Sequence, residues 1–425
     1  MLQKLSQIWR ARDIRKRIVF VLLMLVIFRI LAHIPLPGID ATGLQSFFES
    51  NQLFGLLNLF SGGGLQNISV VMMGIGPYIT ASIIFQLLTM IVPKLEALSK
   101  EGESGSQKIN QYTRYLTVPL ALVQSYGFLI LLQQQSNVNL IGNLNVFQVA
   151  TAMIIATAGT IFLMWLGELI TEKKVGNGIS LMIFAGIISA LPNAIRNTIA
   201  VYDATQLINI VTFVGIGLIT IFAIVFITEG QRNIPISYAR QVYGGRSMGG
   251  VSTHLPLRVN QAGVIPIIFA ISIILFPPMI ARFFQFASTV WIASAADFII
   301  RLFANQIFYG VFYFVMVFTF TYFYTSVVFK PEQIAENIQK QGGFIPGIRP
   351  GRNTEDYLRM TMNRIVLAGA LFLGLIAVLP LVVQSFTSIQ TLTVGGTSLL
   401  IVVAVVIETV KQIDSQLVMR DYEGL

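Results

Sequence analysis

Apolar runs long enough to cross a bilayer recur along the whole chain, separated by polar segments. A hydrocarbon core about 30 Å thick takes about 20 residues of helix. By that measure ten stretches stand out: 18–34, 70–92, 115–132, 146–169, 179–195, 208–227, 262–280, 307–329, 365–383 and 394–410. The fifth and tenth are short, and the tenth opens on Gly395 and Gly396. The pattern predicts an all-α membrane protein with ten transmembrane helices, because in lipid every backbone polar group must be satisfied within its own segment. Two connecting loops are long and polar, 229–259 and 330–364. Loops of that size need a purpose beyond joining helices. The opposite side carries moderate loops only, such as 133–145, and no extramembrane domain is expected.

Divided near residue 200, the chain falls into residues 1–200 with spans one to five and residues 201–425 with spans six to ten. An odd number of spans per half makes any internal repeat inverted in the membrane. The second span of each half is interrupted at a comparable place, by Gly74-Ile75-Gly76-Pro77 and by Gly263-Val264-Ile265-Pro266. Matched weak points in two halves point to a working interface, by analogy with transporters. Gly and Pro are also common in membrane helices at large, so the pattern alone leaves both readings open.

Charge fixes the orientation. Every Lys and Arg falls in the terminal and loop segments assigned to the cytoplasm, except Arg29, Arg196, Arg282 and Arg301. That asymmetry obeys the positive-inside rule with both termini cytoplasmic. The cationic start before the first apolar run imitates a signal peptide. It lacks a small-residue cleavage site, since Ala32-His33-Ile34-Pro35 follows, and is read as a retained helix.

Composition agrees and removes several chemistries. Hydrophobic residues make up 55% of the 425 and charged residues 11%, against about 25% charged in a soluble domain, so lipid must be the main solvent. Mean hydropathy is +0.74. The absence of cysteine excludes disulfides, thiolate metal sites and Cys nucleophiles. His33 and His254 are the only histidines, too few for a histidine-rich metal centre. No G-x-x-x-x-G-K-[ST] motif is present; the string from Gly102 to Lys108 has the wrong spacing. No cofactor and no enzymatic activity are expected. The span acids Glu168 and Glu408 lie close to the cytoplasmic ends, and only Arg29 sits deep. That argues against a secondary transporter, which carries ionisable groups at mid-membrane. An intramembrane enzyme is disfavoured because Gln86, Gln124, Asn260 and Gln261 form no nucleophile–base set. A passive conduit or scaffold remains. Between spans one and two, 58–65 (NLFSGGGL) is too apolar for a solvated loop and too glycine-rich for a stable helix. It suits a segment folded back into the membrane or an interfacial turn.

Six strings carry a resemblance: 74–88 (GIGPYITASIIFQLL), 101–115 (EGESGSQKINQYTRY), 176–186 (GNGISLMIFAG), 252–269 (STHLPLRVNQAGVIPIIF), 343–351 (GFIPGIRPG) and 395–403 (GGTSLLIVV). In content and order, over essentially the whole chain, they resemble the SecY family, the central subunits of the bacterial protein-conducting channel. The resemblance implies two inverted five-helix halves closed like a clamshell on an hourglass pore. Unfolded secretory polypeptides would cross it, and apolar segments would leave sideways into the lipid bilayer between spans two and seven. It implies an apolar pore ring of Ile79 and Ile83, Ile179 and Ile183, Ile268 and Ile401. The two pairs have i,i+4 spacing, so each shares one helical face. A girdle of branched apolar side chains excludes ions by dewetting.

Further positions follow from the same resemblance. A lateral gate involves Pro77, Ser82, Gln86, Pro266 and Ile271. The 61–69 stretch, with Ser61, Gly62, Gly63, Gly64 and Leu65, corresponds to a plug below the ring in the idle channel. Arg349, framed by Pro346, Pro350 and glycines, is the chief docking residue for a SecA motor ATPase or the ribosome, with Arg240 and Arg246 as further candidates. Polyanionic ribosomal RNA favours such cations by counterion release. SecE-like and SecG-like small subunits are implied partners, in the bacterial inner membrane. Arg29 is read as structural, snorkelling or bonded to backbone carbonyls.

Overall fold

In the computed structural model the described residues are 9, 11–37, 61–65, 67–133, 145–200, 207–238, 241–243, 246–248, 252–285, 289–387 and 395–423. Each of the ten apolar runs coincides with a helix. In chain order these are α1 (Arg12–Leu31), α2 (Gly76–Ile91), α4 (Glu103–Gln133), α5 (Val146–Glu172), α6 (Gly178–Ala200), α7 (Leu207–Glu229), α8 (Ile265–Phe284), α10 (Gln306–Val328), α12 (Arg352–Thr387) and α13 (Gly395–Glu423). Among the described residues, Val146–Glu172, Gln306–Lys340 and Arg352–Val383 are each long and apolar enough to cross a bilayer. The pair α2 and α3 (Pro93–Lys100), bent by 100°, would add a fourth. The bend falls at Pro93, which opens α3 and leaves Val92 extended. Gly178–Pro192, Val214–Glu229 and Ile265–Pro278 are shorter apolar helices.

Among the described residues, packing joins the two halves through several helices. The helix α2 lies against α4 and reaches across to α8, while α13 packs on α6 as well as on α7 and α12. One apolar core runs through α1, α2, α5, α6, α8, α10, α12 and α13. Facing away from it, α7 exposes Leu218, Ile219, Phe222 and Phe226, and α1 exposes Leu22, Leu23, Val26 and Ile30. Those surfaces need lipid or another apolar chain to cover them.

Two expectations are corrected. The Gly/Pro strings do not interrupt their spans; they start the helices. Gly74 (φ +56°) and Gly263 (φ +63°) take the left-handed conformation, Ile75 and Val264 cap the helix, and a proline stands in the first turn of each. Proline is tolerated there because its missing N–H would have no intrahelical partner. Residues 70–75 are therefore turns, not helix. The two halves repeat the same local geometry, which is stronger than a shared composition.

The long loops, in turn, do build a folded unit. Strand β1 (Gln231–Tyr238) pairs antiparallel with β4 (Ser252–Arg258) in its own loop and with β5 (Gly343–Phe344) of the other loop. A separate two-stranded ribbon is formed by β2 (Gln241–Tyr243) and β3 (Arg246–Met248). Ile234 and Leu257, from the sheet, meet Phe329, Ile345, Leu358, Met362 and Val366 in a small core of their own. The helix α11 (Pro331–Lys340) packs on the start of α12 beside it. A further helix, α9 (Val290–Ala304), links α8 to α10.

Candidate pore, plug and docking turn

The helix starts place the ring positions. Ile79 donates its N–H to the Ile75 carbonyl at 3.0 Å, and Ile268 does the same to Val264 at 3.2 Å. Each residue thus sits in the first turn after its cap. The α6 start is fixed by Asn177, whose Oδ1 accepts from Ile179 N at 3.1 Å and Ser180 N at 3.2 Å. Gly178 lets α6 approach α5 closely, since a Cβ there would lie 1.9 Å from the Gly167 carbonyl oxygen. Ile79, Ile83, Ile183, Ile268 and Ile401 are all at most 5% exposed. They belong to one continuous apolar cluster, with Ile179 packed against it. The four helices that carry these positions, from both halves, thus all contribute to the same extended apolar core.

Around it, Pro77, Pro266 and Ile271 are buried, whereas Ser82 and Gln86 are half-buried. These residues lie on α2 and α8, which touch. Phe269 meets Phe320 and Tyr324 of α10 edge-on, holding α8 from behind. The Gln86 Oε1 is buried without a hydrogen-bond partner among the described residues.

Residues 61–65 and 67–68 form tight turns, not a loose loop. Gly62 and Gly63 have φ +65° and +84°, which glycine adopts without strain. Ser61 Oγ accepts from Leu65 N at 3.0 Å, and the Gly64 carbonyl accepts from Ser69 N at 2.8 Å. Leu65 and Ile68 pack against Phe128 and Leu129 of α4 and Ala152 and Ala156 of α5. The far end is tied to the residues after α1, where the Ile68 carbonyl accepts from Leu36 N and the Ile34 carbonyl from Val70 N. At the near end Arg29 Nη1 donates to the Gly62 carbonyl, as its position in a span required. Two contacts escaped the sequence. Phe28 roofs Gly62, whose Cβ would fall 2.4 Å from its ring, and Asn67 Nδ2 donates to the Ala32 carbonyl at 3.3 Å. Phe28 carries no local signal, but a run of glycines implies a close neighbour.

Arg349 stands exposed on a rigid turn. Ile345 on one side is buried in the loop core, Gly347 and Gly351 take φ +83° and +95°, and the Arg349 carbonyl accepts from Thr354 Oγ1 at 3.0 Å. Arg246 lies in strand β3; Arg240 is outside the described residues. Glu168 pairs with Arg114 of α4 at 2.7 Å. No group of His, Cys, Asp or Glu among the described residues could hold a metal ion.

A bundle of apolar helices around a buried aliphatic centre, with a glycine-rich segment folded in beside it, defines a channel-type membrane fold. The structure matches a solved "protein conducting channel" with a TM-score of 0.63 at 17% identity, over 93% of this chain and 90% of the other. Sec61 in the canine ribosome-channel complex matches at 0.61, again at 17% identity, over 93% of this chain and 90% of the other. A family model described as SecY matches residues 69–410. A Streptomyces galbus protein translocase subunit SecY is 43% identical over 100% of this chain and 99% of its own length. Its Corynebacterium glutamicum counterpart is 44% identical over 99% and 98%. The chain belongs to the SecY family.

Proposed function

We propose that the chain is the pore-forming subunit of a protein translocase. Unfolded polypeptides pass through its apolar centre, and sufficiently apolar segments leave between α2 and α8 into lipid. The observation that supports this is that Ile79, Ile83, Ile183, Ile268 and Ile401, on helices of both halves, are all buried in the apolar core those halves share. An aliphatic girdle of that kind holds back water and ions yet flexes around a threading peptide.

In this reading the helices that coincide with the ten apolar runs all span the membrane, with both termini in the cytoplasm. The two five-helix halves, 1–200 and 201–425, are related by inversion. Supporting it are the matched helix starts at Gly74 and Gly263 and the one-sided distribution of Lys and Arg. The segment 61–69 is the plug. The unit built from 229–259 and 330–364 offers Arg349, with Arg240 and Arg246, to a driving partner, a SecA-type motor ATPase or a ribosome. Energy comes from that partner, and the chain itself catalyses no reaction. Small SecE-like and SecG-like subunits cover part of the apolar exterior, and the membrane is the bacterial inner membrane. The relatives named as translocase subunits support the translocase role, and the solved channel–ribosome complex supports a ribosome as driving partner.

The test is depletion of the chain from cells that carry it, followed by export of a secretory precursor. Accumulation of uncleaved precursor inside the cell, reversed by restoring the chain, is expected. Undiminished export after depletion contradicts the proposal.

A further inference from the structure

Among the described residues, the segment 61–69 is tied toward both ends to α1 and the chain that leaves it. Toward the Ser69 end two backbone hydrogen bonds, to Ile34 and Leu36, are joined by Asn67 Nδ2 donating to the Ala32 carbonyl, all in the chain leaving α1. Toward the Ser61 end a side chain of α1, Arg29, donates to the Gly62 carbonyl. The guanidinium is half-buried, and the carbonyl of Arg29 itself is engaged by His33 Nδ1 at 2.8 Å. Phe28, on the same turn, closes over Gly62, where a Cβ would fall 2.4 Å from its ring. One turn of α1 thus supplies both a roof and a charged donor to one peptide of the segment.

We infer that Arg29 is the positioning residue that locks the plug in the idle channel, through its bond to the Gly62 carbonyl; this rests on reading 61–69 as the plug. A guanidinium in apolar surroundings is costly when a donor is left unpaired. Moving Gly62 away strips Arg29 of that acceptor, so displacement of the segment is opposed at its start. The Ser69 end, stitched by main chain, stays in place and serves as the pivot. A substrate must overcome the Arg29 bond before the segment can move.

Because the chain has no cysteine, a lone Leu65→Cys reports on the segment through its rate of reaction with a membrane-impermeant thiol reagent. Leu65 is 3% exposed, so the idle channel reacts slowly. With a secretory chain trapped in the channel, labelling is expected to accelerate; no acceleration overturns the plug reading itself. In the idle channel, Arg29→Met is expected to speed labelling roughly ten- to hundredfold, the range for losing a hydrogen bond to a charged group. Arg29→Gln, which keeps a neutral donor, is expected to fall between. Unchanged labelling in Arg29→Met, beside acceleration by trapped substrate, overturns the Arg29 assignment and leaves the plug standing. A Leu163→Cys reporter in the core of α5, 0% exposed, must stay protected in Arg29→Met. If it reacts too, the variant has loosened the whole bundle and the assignment fails.

Discussion

Consider replacing Ile268 and Ile401 together by glycine. Both are buried, at 4% and 3% exposure, and they come from different helices of the second half that meet the first half in one cluster. Full burial of an Ile side chain is worth about 1.5–3 kcal/mol. Two deletions therefore remove about 3–6 kcal/mol of apolar surface that water must otherwise wet, and at 1.4 kcal/mol per decade this is about 10²–10⁴ in permeation if the cluster is the barrier. The assay is ion conductance of the idle channel in planar bilayers. The double variant should conduct far above the native channel. Ile268→Leu with Ile401→Leu, which conserves volume and costs less than about 1.5 kcal/mol per site, should stay sealed. Ile154 of α5 is 64% exposed, so Ile154→Gly should leave conductance unchanged. Native-like conductance in the double glycine variant, or an equal leak in Ile154→Gly, refutes the argument that the buried isoleucines form the seal.

Other perturbations separate the parts of the molecule. Arg349→Glu should abolish motor-driven export while purified channel retains its assembly and idle conductance, as read by precursor translocation into membrane vesicles. Leu358→Ala, at a fully buried position of the loop core, should cost about 2–5 kcal/mol locally. It should make 229–259 and 330–364 sensitive to added protease without raising ion leak. Gly159→Ala places a Cβ 2.1 Å from the Val70 carbonyl; because backbone cannot yield, it should displace the residues that follow the plug and raise idle conductance.

The apolar runs located every helix that carries a proposed ring position, because lipid imposes a length and composition on any segment that spans it. They did not locate helix ends where polar residues continue the helix. The α4 helix begins at Glu103 and α12 at Arg352, and α13 reaches Glu423; hydropathy is blind to these extensions, which need only helix propensity. The helix α9 escaped because it is too short to span. Strands β1 and β4 left a trace of alternation, Ile234 and Ile236 in one and Leu255 and Leu257 in the other, with Ile234 opposite Leu255, Ile236 opposite Thr253 and Leu257 opposite Arg232. The pairing of β1 with β5 did not, since it joins loops separated by two apolar runs. The proposed ring was legible only through the family strings, because one isoleucine among many looks like any other in the sequence. The lone deep cation, Arg29, announced that it needed an acceptor, but Gly62 as that acceptor is a product of the tertiary fold.

The sharpest measurement is photocrosslinking of a secretory chain stalled midway, with probes placed singly at Ile83 and Ile268 and at the exposed Ile154 as reference. Adducts at both of the first two positions and none at the third are predicted. A stalled chain that reacts at Ile154, or at neither ring position, contradicts a path through the apolar centre.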